Sequence, residues 1–488
     1  MSETAFTERA ELFRRDLARE NYFVGAGLKD KFELKAIYER YADLFAETTV
    51  REHVAALQRG DDKATRHLAD FAVRGFIGNT TKELSEQITN AELQATVAWR
   101  DKQIPYRSVR TALLRESDWE KRHDLHARQI AVMVKQNPQR LERITTQHNL
   151  AKHFGFANYC AMIETLRGWD LHAFAKLITP LLDATETIFE RELDAKLGAI
   201  GVPRKHADTS DVALVLRAPE FDDHFPSSEL VRVFKYTIAT LGLELASTPG
   251  LNLDTDVRPL KSSRAFCSPV RVPDEVYLVI KPIGGHDDYR AFFHEAGHAE
   301  HFTHFDTNLL FAFRRVGDEA VSETFAFLFE HLTQNPRWLV DVLRVPMREA
   351  EKYRRAALFN KLWLLRRYVG KLQYELILHD EGPRGVADAY AQILGDALHI
   401  KIAPERYLDD VDDAFYVAGY LRAWVFERQL ANFLLNKFGE GWYETREAGT
   451  YLKTMWSIGL RDSVDELART RLGIEGLNPR FLIEELAE

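Results

Sequence analysis

The sequence predicts a mainly α protein: two helical halves, with a small β-sheet beside a helix that carries an H-E-x-x-H run. Three observations carry this expectation. Apolar residues recur at three- and four-residue steps, as in Leu34, Ile37, Tyr38, Tyr41, Leu44 and Phe45. Strand patterning is convincing in one place only, residues 264–272 and 275–281 around Pro273-Asp274. The clearest compositional break is GVPRKHADTSDVALVLRAPEFDDHFPSS, residues 201–228, which divides the chain into residues 1–205 and 206–488.

Composition narrows the function classes. A net charge of −9 with no long basic block argues against a nucleic-acid partner. Two cysteines, Cys160 and Cys267, make no disulfide framework and fit a reducing compartment. The opening MSETAFTERAELFRRDL has no apolar core of signal-peptide length, and no run of about eighteen apolar residues occurs to span a membrane. The expectation is a cytoplasmic protein with no membrane partner.

Taken in order, residues 1–200 read as successive helices, interrupted by turn-prone stretches at 58–62 and 78–81. Their charges read as solvated faces and their aromatics as core. The connector 201–228 holds one short apolar run, Val212–Leu216, read as a strand at most, and a helix follows from Ser227 or Ser228. In the hairpin, Tyr277, Val279 and Lys281 face one way and Val276, Leu278 and Ile280 the other.

Next comes DDYRAFFHEAGHAEHF, with His294, Glu295 and His298. Gly284-Gly285 breaks the chain before it, and Asp287 and Asp288 place carboxylates where a helix dipole favours them. Residues four apart on a helix lie on one face, about 6 Å apart along the axis. Two imidazoles so spaced can hold one metal ion, and Glu295 can take a proton from a water beside it. In a chain with seventeen histidines the pentapeptide alone is a weak signal. A third ligand strengthens it, because a catalytic zinc usually takes three protein ligands and keeps one position open. GDEAVSETFAF offers Glu319 and Glu323 on one face of a second helix, flanked by Ala320, Val321, Phe325 and Leu328. Buried carboxylates there would be costly unless paired or metal-bound; the bland alternative is a solvated acidic face.

HEAGHAEH followed by E-x-x-S resembles the thimet-oligopeptidase and oligoendopeptidase F zinc peptidases. The resemblance implies zinc on His294, His298 and Glu319, with Glu295 as general base and one Zn2+ per chain. His301 matches an extra histidine of that motif. Glu323 resembles the carboxylate with which angiotensin-converting-type peptidases orient a ligating imidazole. The segment between the two motifs is short for this group, so Glu323 remains the alternative third ligand. The resemblance also implies a deep cleft between the halves, an N-terminal half that acts as a lid over it, short peptides as substrates, and a hairpin strand that pairs with an extended peptide backbone.

From residue 345 helices dominate again. In DDAFYVAGYLRAWVFERQL, Tyr416 and Tyr420 share a helix face with Ala423 and Trp424, a stripe that on its own reads as core. FYVAGY resembles the oligoendopeptidase F run whose tyrosines stabilise the tetrahedral intermediate, which would make Tyr420 or Tyr416 catalytic. The histidine that this family carries a few residues earlier is absent from YLDDVDD, residues 407–413. Within this frame the expectation is an oligopeptidase. A metallocarboxypeptidase or peptidyl-dipeptidase would need a cation for the substrate carboxylate, with Lys281, Arg264 and Arg422 as candidates. A helical peptide-binding protein with a closed structural metal, or none, is the alternative from another class.

Overall fold

The computed structural model describes residues 2–487 apart from 61, 246, 247, 249 and 263 and, for 93 and 107, the backbone alone. Helices dominate, and the described strands form two small sheets. The chain condenses into two compact units, neither of them continuous in sequence. The first takes Met1–Phe76, Ala218–Ala357 and Arg422–Leu482; the second takes Ile77–Arg217, Leu358–Leu421 and Ile483–Glu488. The expected division at residue 205 lies close to one of these boundaries, but the N-terminal 76 residues belong with the H-E-x-x-H segment. Other boundaries fall inside long helices, where no glycine or proline run marks them.

Helix α1, Glu3–Gly25, starts at Ser2, whose hydroxyl accepts from the Ala5 amide, and buries Phe6, Ala10 and Phe13. Helix α2, Lys63–Gln94, runs on from the first unit. In the second unit β1, Thr96–Trp99, and β2, Lys102–Pro105, form an antiparallel hairpin. Val212–Leu216, read from sequence as a strand, is one short helix instead. Val215 is its buried residue.

The sheet of the first unit has three strands. The expected hairpin is present as β4, Phe266–Arg271, and β5, Glu275–Val279, and β5 pairs on its other side, in parallel, with β3, Leu251–Asp254. The order β3-β5-β4 leaves β4 at an edge. Val270, Val276, Leu278 and Val279 are buried. Helix α1 lies against this sheet: Ser268 donates to the Ala18 carbonyl at 2.7 Å, and the Tyr22 and Tyr277 rings stack at 3.8 Å.

Helix α3, His286–Thr303, follows Gly284 and Gly285, both at φ near +90° (93° and 92°), where a side chain would be strained. The Asp288 carboxylate accepts from the Ile283 and Gly284 amides at 2.6 and 2.8 Å and so fixes the turn into the helix. Helix α4, Glu319–Leu332, is capped by Asp318, which accepts from Ala320 N and also holds Arg422. At Gly297 the backbones of α3 and α4 pack closely. A Cβ there would lie 2.3 Å from the Phe325 carbonyl oxygen, so only glycine permits this packing. Two further long helices are α5, Met347–Glu381, and α6, Tyr416–Phe438.

Candidate metal centre

The close crossing at Gly297 decides which side chains of α4 face the histidines of α3. Glu323 Oε2 lies 3.4 Å from His294 Nε2 and 3.6 Å from His298 Nε2. His294, His298 and Glu323 form a group able to hold one metal ion. Glu319, expected as the third member, is not in it. It sits one turn earlier, at the first residue of α4, with its side chain 37% exposed and Arg74 Nη1 at 3.3 Å. Both glutamates share a helix face, as the sequence implied; the crossing point puts the second turn of α4, not the first, opposite the imidazoles.

Both imidazoles are held from behind. His294 Nδ1 lies 2.8 Å from Glu330 Oε2, and His298 Nδ1 lies 2.7 Å from Ser322 Oγ. An ionised carboxylate only accepts, so Glu330 keeps a proton on His294 Nδ1 and turns Nε2 toward Glu323. Carboxylate–histidine pairs of this kind orient metal ligands. Burial alone would raise the Glu330 carboxyl; its hydrogen bond to His294, with Arg290 nearby, brings it down to about 2. Burial likewise opposes charge on Glu323, yet His298 and His294 hold it well below the usual carboxylate range. His294 moves the other way: burial disfavours its imidazolium, and hydrogen bonds to Glu323 and Glu330 more than reverse that. The three groups thus favour positive charge between them, which is what a divalent cation supplies, and imidazole nitrogen with carboxylate oxygen is a donor set that suits zinc.

Glu295 stands apart from this group. Its Oε2 accepts from the Cys267 amide at 2.9 Å, which ties it to edge strand β4. Burial raises its carboxyl above the usual value, against the pull of His298 and His294. His301 lies outside the cluster: it is fully buried among Phe302, Phe305 and Phe325, and burial drives its imidazole well below the ordinary value. Tyr416 and Tyr420 belong to the second unit, at the start of α6, with ring centroids 4.8 Å apart. Tyr420 also meets Tyr368 edge-on, and Tyr416 is 39% exposed. Arg422, a candidate for receiving a substrate carboxylate, is 1% exposed and committed to Asp318 and Asp465.

Sequence reasoning missed Glu330, Ser322 and the Cys267 amide. Ser322 was visible as the serine of E-x-x-S. Glu330 lies two turns beyond Glu323 on the same helix, a periodicity that could have marked it.

Solved structures share this architecture. PZ peptidase A, solved with an inhibitor, matches 99% of this chain and 95% of its own at a TM-score of 0.71 and 14% identity. A Bacillus anthracis structure assigned to oligoendopeptidase F matches 99% of this chain and 84% of its own, with a TM-score of 0.62 and 14% identity. Another structure assigned to oligoendopeptidase F covers 99% and 94%, at 0.65 and 15%. The chain has the oligoendopeptidase F fold. No protein-family model matches the sequence, nor does any curated protein sequence. At such low identity the likeness is one of fold, and residue roles within the oligoendopeptidase F fold rest on the geometry above. Among the described residues no helix is long and apolar enough to cross a membrane.

Proposed function

We propose that this chain is a zinc-dependent peptidase that hydrolyses short peptides, with His294, His298 and Glu323 as metal ligands and Glu295 as general base. The observation that carries the reading is the convergence of the two Nε2 atoms on Glu323 Oε2 with Glu295 on the intervening helical turn. Zinc in this group would supply Lewis-acid polarisation of the scissile carbonyl and of the attacking water. The Glu295 carboxylate takes the proton of that water as it attacks and passes it to the leaving amine. Its elevated proton affinity suits both steps, and the Cys267 amide fixes one of its oxygens. Edge strand β4 would pair with an extended peptide through backbone groups other than the Cys267 amide and the Pro269 carbonyl, which Glu295 and Arg315 hold. The resemblance would make Tyr420 or Tyr416 the phenol that stabilises the oxyanion. The place of synthesis and action remains the cytoplasm expected from the sequence.

The test is mass spectrometry of a defined peptide mixture, incubated with the protein with and without chelator. Chelator-sensitive internal cuts support an oligopeptidase. Stepwise loss of one or two residues from the C-terminus would move the reading to a metallocarboxypeptidase or peptidyl-dipeptidase, and intact peptides with zinc-loaded protein would return it to a binding protein.

A further inference from the structure

Arginines of the first unit gather around the start of α4, and one of them has no anion of its own. Arg14 lies on α1, Arg74 on α2, and Arg314 and Arg315 at the end of the short helix Phe311–Arg314. Arg74 Nη1 is 3.3 Å from both Glu319 Oε1 and Asp70 Oδ2. Arg314 and Arg315 share Glu11, at 3.1 and 3.4 Å, and Arg315 also donates to the Pro269 carbonyl of edge strand β4 at 2.8 Å. Among the described residues Arg14 makes one hydrogen bond, from Nη2 to the Arg315 carbonyl at 3.4 Å, and no ion pair. It is the cation left over.

A solvated arginine on an outer helix face explains this incompletely. Water reaches Arg14, yet protein surrounds it: burial lowers its pKa, and the neighbouring charge of Arg74 lowers it further, against the weaker pull of Glu319, Tyr38 and Glu11. A guanidinium set in a recess beside a like charge gains from an anion that the cluster does not supply. Tyr38, on the short helix Leu34–Arg40, packs its ring against Phe13 and Phe45 at 5.3 and 5.4 Å, and among the described residues its hydroxyl has no hydrogen-bond partner. Guanidinium forks and a phenol are a donor set that suits a carboxylate. The place also fits a peptide. Glu319 and the metal candidate Glu323 are one turn apart on α4, about 6 Å along the axis, so a carboxylate beside Arg74 lies roughly two or three extended residues from the metal group, at about 3.3–3.6 Å per residue.

We propose that Arg14, with Arg74 and Tyr38 beside it, receives a carboxylate of the substrate peptide, either its C-terminus or an acidic side chain near the scissile bond. The proposal rests on the peptidase reading for the ligand being a peptide. The experiment measures binding to the zinc-loaded full chain carrying Glu295→Gln, so that no probe is consumed. The probe is one short, neutral, fluorescent peptide prepared as the free acid, as the amide, and as the amide with an internal glutamate. With Arg14 in place, the free acid or the glutamate form binds about 10–100-fold tighter than the plain amide, the usual worth of a hydrogen bond to a charged group. Preference for the free acid assigns the C-terminus, and preference for the glutamate form assigns the side chain. Adding Arg14→Gln abolishes the preference, and adding Tyr38→Phe, which keeps the ring packing, weakens it. Equal binding of all forms, binding of none, or a preference that survives Arg14→Gln overturns the proposal. Failure of the peptidase reading shows separately, as absence of chelator-sensitive cleavage of the same peptides by the natural chain.

Discussion

Glu330 Oε2 and Nδ1 of His294 are 2.8 Å apart, two turns of α4 beyond the carboxylate that faces the same imidazole from the other side. His294 is thereby gripped between two glutamates of one helix. Glu330→Gln keeps the shape and removes the charge, so the imidazole loses its strongest orienting partner. We expect metal affinity to fall by about 10–100-fold, with peptide turnover restored at high zinc. Chelator competition measures this, and an unchanged affinity would reduce Glu330 to a packing role.

The choice between the two candidate third ligands has a direct readout. Glu323→Ala is expected to lose most of its zinc, while Glu319→Ala keeps it and loses a partly exposed ion pair with Arg74, worth about 1 kcal/mol or less. Elemental analysis of the two purified variants decides. Zinc lost from the Glu319 variant alone would reinstate that residue.

Glu295→Gln should separate binding from chemistry. It leaves the three-residue group intact, so zinc content stays the same while turnover falls by about 10²–10⁴-fold, the usual worth of a positioned general base. Residual activity close to that of the natural protein in a pure preparation would sink the base assignment.

How far these residues were legible in the sequence follows from the range of the forces that place them. His294, Glu295 and His298 lie within five residues, where helix geometry alone sets their relation. Glu319 and Glu323 could not be ranked that way, since both lie on one face and what separates them is the height at which α3 crosses α4. That height is set by Gly297 against the Phe325 carbonyl, a contact between residues nearly thirty positions apart. The hairpin β4–β5 was visible from its alternation and turn. Strand β3, only four residues long, has no such pattern and is defined by its partner β5. The packing of α1 on the sheet is longer in range still, which is why the first 76 residues read as part of a separate half.

The tyrosine assignment is tested by kinetics at constant metal. Tyr420→Phe and Tyr416→Phe each retain the ring contacts and lose one hydroxyl. The one that donates to the oxyanion lowers kcat by about 10²–10³-fold with zinc content unchanged. Absence of a kinetic effect in both would return the start of α6 to the core.

Acid stability of the second unit centres on Asp410. Arg367 donates to both of its oxygens, at 2.6 and 2.8 Å, Tyr390 donates at 3.0 Å, and Lys371 lies 3.5 Å away. Burial opposes the charged form, but Arg367, Lys371 and Arg406 outweigh it and hold the carboxyl below its ordinary value. A depressed carboxyl contributes stability that is complete above the unfolded-state value, about 4, and is lost as pH falls through the lower folded value. Glu375, raised well above its ordinary value by burial, acts in the opposite sense at higher pH, so the comparison must be made between variants. Asp410→Asn takes the carboxylate from half-buried Arg367 and leaves buried Lys371 with Asp412 and Glu375 alone. A loss of about 3–5 kcal/mol at neutral pH is expected in urea unfolding, shrinking as pH falls from about 4 through the lower folded value, where the natural protein loses the same charge. A difference between the two proteins that does not narrow with acid would show that packing, not charge, is what Asp410 contributes.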